Sequence, residues 1–166
     1  MLKITLDSSC LENSKEFGDL IGLCEAGKLF IQISPITMEE ISQTSPKRLK
    51  QFVECLHVVN KPILEETKEF DEIANRALLI HSPTTDRRVI QKMSDPEEFT
   101  KRILNRKNDF NDVDIFAFHI LTKADVFVTK DEKGFIRNGK KERFEREFNT
   151  KVRYLDRKFI EELKSE

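Results

Sequence analysis

The stretch NDVDIFAFHILTKADVFVTKD, residues 111–131, carries more of the fold than any other part of the chain. Residues 112–122 read as an apolar helix and residues 125–129, DVFVT, as a buried strand. A short turn joins them, and the strand runs out at Thr129 with Asp131 two residues beyond. A helix that feeds directly into a short apolar strand is the repeating step of a parallel sheet.

The same step appears at the start. In MLKITLDSSC, Leu2, Ile4 and Leu6 alternate with Lys3 and Thr5, as in a strand, and Asp7 ends the run. Residues 12–27 then carry Phe17, Leu20, Ile21 and Cys24 at helical spacing, with Gly27 as the stop. KLFIQIS gives a second strand, and Ser34 and Thr37 can cap a helix running from Pro35 through Ile41. Pro46 opens another helix with Leu49, Phe52, Val53 and Leu56 at the right repeat, and Pro62 a longer one through Leu78.

HSPTTDRR reads as a loop. SDPEEF reads as a helix start, with Asp95 as N-cap, Pro96 at the first helical position and Glu98 completing a capping box. Residues 134–139 form a Gly/Asn turn region, KVRYL a last strand and residues 157–164 a closing helix. Strands separated by helices predict an α/β fold, with a parallel sheet covered by helices on both faces. Ligands of such sheets bind at the carboxyl ends of the strands.

Composition narrows the function classes. The 166 residues suit one domain, and 29 basic against 30 acidic side chains leave a net charge of −1, which neither demands nor excludes a nucleic-acid partner. Thirteen phenylalanines with one tyrosine and no tryptophan predict aromatic packing inside the core. Cys10, Cys24 and Cys55 make a poor disulfide framework and suit a reducing cytoplasm. No apolar run has the length of a membrane span, so the expectation is a soluble cytoplasmic protein. Five glycines without a Gly-x-Gly-x-x-Gly or Walker loop argue against a nucleotide cofactor. His57, His81 and His119 have no zinc spacing with the cysteines.

Four acids remain at the predicted carboxyl edge: Asp7 after the first strand, Glu40 one turn into a helix, Asp112 in the first turn of the apolar helix, and Asp131 after the late strand. Singly, each has an ordinary reading as a turn, cap or solvated residue. Jointly, packed carboxylates repel and raise one another's pKa unless a cation compensates. Oxygen-rich acidic clusters suit Mg²⁺ or Mn²⁺, which bind phosphate oxygens and activate water.

On ITLDSSCL, ISPITMEEI, the segment 111–131 and its TKD turn, the chain resembles the PIN-domain metal-dependent ribonucleases, including VapC-type toxins of toxin–antitoxin pairs. The resemblance implies a Rossmann-like three-layer α/β/α sandwich with a central parallel sheet. It also implies a single PIN-like domain over residues 1–166, with a helical insert at roughly 60–110. Asp7, Glu40, Asp112 and Asp131 would be the catalytic acids and ligands of Mg²⁺ or Mn²⁺. Ser8 and Thr129 would contact the acids or the bound phosphate; apart from the resemblance, Lys130 is placed for a phosphate by standing next to Asp131. The partners implied are RNA, a second copy of the chain in a homodimer, and for a toxin a small antitoxin protein.

The sequence departs from the family at Phe116, Phe118 and His119, where small residues are usual, and at Phe135, one residue late. Arg87, Arg88, Lys101, Arg102, Arg106 and Lys107 form either a solvated face or an RNA-backbone strip. The alternative to a nuclease is a catalytically weak or inactive scaffold that binds RNA or protein. An Asp-dependent phosphotransfer fold ranks lower, because Asp7 is followed by Ser-Ser and not by the Asp-x-Asp of dehalogenase-type phosphatases.

Overall fold

Leu2–Leu6 forms the first strand, β1, of a computed structural model that describes residues 1–12, 14–44, 56–58, 68–83 and 96–166; the side chains of residues 44, 56–58 and 96–108 lie outside that description. The chain continues through α1 (Lys15–Glu25), β2 (Leu29–Ile33), α2 (Pro35–Thr44), β3 (Leu56–Val58) and α3 (Lys68–His81). It then forms α4 (Pro96–Leu121), β4 (Val126–Thr129), α5 (Lys140–Phe148), β5 (Lys151–Tyr154) and α6 (Arg157–Ser165). The five described strands lie in the order β3-β2-β1-β4-β5, and every neighbouring pair is parallel. This is the expected α/β sandwich with a central parallel sheet.

Strands covered on both faces are apolar along their whole length. All four residues of β4 are buried, and their side chains alternate between two cores. Val126 and Val128 join Ile4, Leu6, Ile31 and Ile33 beneath α1 and α6. Phe127 and Val152 face α3, α4 and α5, where they meet Phe70, Phe116 and Phe144. Phe116, Phe118, Phe127, Phe135 and Phe144 are all fully buried, each contributing on the order of 2–3 kcal/mol of burial. That is where the phenylalanine-rich composition goes.

Local signals set several boundaries. The Ser14 hydroxyl accepts from Phe17 N at 3.2 Å to start α1, and Gly27 leaves the turn beyond it at a left-handed φ of 69°. Ser34 Oγ accepts from Thr37 N at 3.1 Å at the head of α2. The Asp156 carboxylate accepts from Phe159 N at 2.8 Å to open α6.

Other boundaries differ from the sequence reading. α4 is one helix of 26 residues, so Asp112 sits well inside it and not in a first turn. The polar run 97–111 simply continues the helix, so no helix N-terminus stands beside Asp112. Leu56, expected in a helix, lies in β3. A single π-helical turn, Glu132–Ile136, follows β4, and α5 fills a stretch to which the sequence reading gave no helix. The start of the helix expected at Pro46, the Pro62 start, the loop beyond residue 83, the Asp95 cap, Cys55, and Arg87 and Arg88 lie outside the described residues. No described helix is long and apolar enough to cross a membrane.

The chain builds β1, β2 and β3 outward on one side, then returns to add β4 and β5 on the other. The winding therefore reverses between β1 and β4. A crevice at the carboxyl ends of such a strand pair is the general ligand position of an open parallel sheet.

Candidate metal centre

Asp7 and Asp131 flank that reversal. Asp7 follows β1 and is buried, and its own N–H donates to Val128 O on β4 at 2.9 Å. Its side chain makes no capping bond to the short 3₁₀ turn that follows. Instead Oδ2 accepts from Ser9 Oγ at 2.6 Å and from Thr129 Oγ1 at 2.8 Å. Ser9 Oγ in turn accepts from Lys130 N at 2.9 Å, and Thr129 Oγ1 from Asp131 N at 2.9 Å. Two strand ends and two hydroxyls thus fix one oxygen of Asp7. Its other oxygen, Oδ1, is buried and finds no hydrogen-bond partner among the described residues.

Asp131 opens the π-helical turn, where its Oδ1 accepts from Gly134 N at 3.0 Å. The turn is anchored by Phe135, fully buried against Phe116, Phe127 and Phe144. The same ring packs edge-on against His81, with centroids 4.8 Å apart. His81 is the last residue of α3 and only 5% exposed. Its Nε2 lies 3.4 Å from Asp112 Oδ2 and 3.3 Å from Asp131 Oδ2. These are ion-pair contacts without hydrogen-bond alignment, so Nε2 is buried and unpartnered in that sense.

The electrostatics follow from this crowding. Burial, and then the charge of Asp112, push the Asp7 carboxyl up to about 7 against the two hydroxyls that favour its anion. Asp112 is also raised, by burial first and further by Asp131 and Glu40, while His81 opposes the rise. Asp131 is held low, chiefly by His81 and by the Gly134 amide. Burial works against the His81 cation, but Asp112 and Asp131 outweigh it and hold the imidazole up to about 9. The acids exert a strong negative field, and in the isolated chain a histidine answers it.

A divalent cation fits this donor set. His81, Asp112 and Asp131 each offer one ligand atom, and the three atoms lie within 4.8 Å of one another. Asp7 Oδ1 is a desolvated acceptor with no donor among the described residues, which is costly unless a cation or water meets it. A Cβ on residue 134 would strike both Asp131 Oδ2 and His81 Nε2, so only glycine keeps that space open.

Of the residues expected at the site, Asp112 and Asp131 form the tight group with His81. Asp7 acts on neither through a hydrogen bond but feels the charge of both. Glu40 accepts from Asn111 Nδ2 at 3.2 Å and bears on Asp112 electrostatically. Thr129 bonds Asp7 directly, and Lys130 reaches the site through its backbone N–H. Ser8 lies half-buried in the 3₁₀ turn, and the hydroxyl that holds Asp7 belongs to Ser9. The side chains of Lys101, Arg102, Arg106 and Lys107 lie outside the described residues.

His81, Ser9 and Gly134 were not anticipated. For His81 a signal existed: it continues the stripe Phe70, Ala74, Ala77 at helical spacing, a histidine in a core-facing position. His119, by contrast, is a fully buried core residue, bonded to Thr5 and Thr150. No protein-family model matches this chain and no curated protein matches it, so the meaning of the site rests on its own geometry.

Proposed function

We propose that the chain is a Mg²⁺- or Mn²⁺-dependent ribonuclease that hydrolyses RNA phosphodiester bonds. The observation that carries this reading is the meeting of Asp7, Asp112 and Asp131 at the sheet reversal, with a buried acceptor on Asp7 left unpartnered. Asp7, Asp112, Asp131 and Glu40 are the residues that would hold the cation. When bound, such a cation supplies a Lewis acid for a phosphate oxygen and lowers the pKa of a water for in-line attack.

The protein's own part is positioning. Ser9 and Thr129 lock one oxygen of Asp7, which leaves the other free for coordination. The Gly134 amide sets the rotamer of Asp131. Lys130, beside both, is suited to draw a phosphate toward the strand ends. Asp7→Asn and Asp112→Asn should each reduce Mn²⁺-dependent RNA cleavage by about 100-fold or more and leave the fold intact by circular dichroism. Undiminished cleavage by both variants would refute the reading.

One observation favours a second reading, a scaffold that binds RNA or protein without cutting. His81 between Asp112 and Asp131 is a built-in positive charge where a cation would otherwise sit. Mn²⁺ titration separates the two, since a scaffold neutralised in this way binds no metal.

A further inference from the structure

Among carboxylate sites for Mg²⁺, a nitrogen donor is out of place, because Mg²⁺ takes oxygen ligands almost exclusively. His81 nevertheless has the surroundings of a coordinating histidine. A metal-bound imidazole presents one ring nitrogen to the ion and is oriented by a hydrogen bond at the other. Here Nδ1 lies 2.7 Å from Ser82 Oγ, with Asp109 Oδ1 at 3.9 Å behind it. A divalent cation arriving between Asp112 and Asp131 would displace the Nε2 proton; with the remaining proton on Nδ1 donated to Ser82 Oγ, the Nε2 lone pair would face that cation.

The ring is also held from its other sides. Phe135 packs against its face at an interplanar angle of 67°. Lys140 Nζ donates to the His81 carbonyl at 2.6 Å and so pins the end of α3 to the start of α5. Residue 134 adds no side chain beside Nε2, because it is glycine and a Cβ there would strike the ring. The result is a fixed, buried nitrogen with no aligned hydrogen-bond partner among the described residues, inside a group of three potential ligands.

We propose that His81 Nε2 is itself a metal ligand, forming with Asp112 and Asp131 a mixed nitrogen–oxygen site that selects Mn²⁺ and later first-row ions over Mg²⁺. The inference rests on the preceding reading only for a cation at this place, not for RNA as substrate. Its chemical basis is that imidazole suits transition metals, whereas Mg²⁺ gains little from exchanging a water for nitrogen.

The test uses Mn²⁺ alone, added to the full chain, with pulsed electron paramagnetic resonance as the readout. The wild type should show the hyperfine coupling of a directly bound ¹⁴N, replaced by the ¹⁵N pattern when the protein is made with ¹⁵N-histidine. That comparison needs no variant and so survives any folding defect. In His81→Gln the coupling should vanish. Losing a group that merely orients a ligand costs about 10–100-fold in affinity, so Mn²⁺ should bind at least about 10-fold more weakly. Mg²⁺ affinity should change by less than about 3-fold.

Bound Mn²⁺ without nitrogen coupling overturns the proposal, as does equal weakening of Mn²⁺ and Mg²⁺, or no Mn²⁺ binding at all. Nitrogen coupling in a protein that cuts no RNA supports the ligand and removes the ribonuclease reading. Mn²⁺-dependent cleavage without nitrogen coupling does the reverse.

Discussion

His81 and His119 are both buried, yet the two regions around them treat a histidine in opposite ways. His119, inside α4, has both ring nitrogens engaged: Nδ1 with Thr5 Oγ1 at 3.0 Å and Nε2 with Thr150 Oγ1 at 2.6 Å. Gln32 Nε2 donates to the same Thr5 hydroxyl at 2.7 Å, which leaves that hydroxyl to donate to Nδ1. Burial, opposed by the charge of Asp125 and helped by Lys3, pushes His119 down to about 3. His81 faces two carboxylates with an unpartnered nitrogen and is held up to about 9. A satisfied polar network inside the sheet is structure, whereas unspent donors and acceptors at the strand ends are capacity to bind.

That contrast can be broken at four points, taken from the largest expected effect to the smallest. Asp7→Asn should cost about 100-fold or more in cleavage, yet raise the stability of the metal-free protein. An acid whose folded pKa lies above its unfolded value stabilises fully below the unfolded value and less as pH rises through the folded one, here from 3.8 toward about 7. The amide does not titrate and should regain on the order of 2 kcal/mol at neutral pH in urea melts. A variant destabilised at pH 7 would mean that the Asp7 charge is already compensated without metal.

The second point is His119. Its folded pKa lies below its unfolded value of 6.5, so its stabilisation is complete above 6.5 and is lost as pH falls toward about 3. The slope from this one group approaches about 1.4 kcal/mol per pH unit in that window. His119→Gln should flatten the acid limb of a stability–pH curve, at a cost of about 1–3 kcal/mol at pH 7 for the disturbed network. An unchanged acid limb would place the titration elsewhere.

Gly134→Ala comes third. Its methyl would strike Asp131 and His81, so Mn²⁺ affinity should fall by about 10-fold, with a stability cost of about 1–3 kcal/mol for the displaced buried side chains. Affinity equal to wild type would show that the space between those side chains is not used. Smallest is Ser9→Ala, which removes one of the two hydroxyls on Asp7 Oδ2 while Thr129 remains. Cleavage should drop only several-fold, which single-turnover kinetics can resolve. A loss as large as that of Asp7→Asn would make Ser9 more than a positioning residue.

The sequence exposed the parts governed by short-range rules. Alternation in residues 2–6, the apolar run 126–129 and the acids that follow each define strand ends, and a parallel sheet brings strand ends together. α5 escaped because KKERFEREF has little apolar stripe beyond Phe144 and Phe148. It is supported instead by the pairs Lys141–Glu145 at 2.7 Å and Arg143–Glu147 at 2.9 Å. β3 is only three residues long, embedded in a run with helical spacing. His81 escaped for a longer-range reason. Asp112 and Asp131 lie far along the chain from it, and only the packing of α3 on α4 and of Phe135 beneath the ring brings them together.

The most direct test of the account is an anomalous-difference map from crystals of the protein grown or soaked with Mn²⁺. The account predicts a peak within coordination distance of Asp112 and Asp131, on the side of Asp7 Oδ1, and its loss in Asp112→Asn. A featureless map at saturating Mn²⁺, with the His81 ring still bridging Asp112 and Asp131, would contradict it.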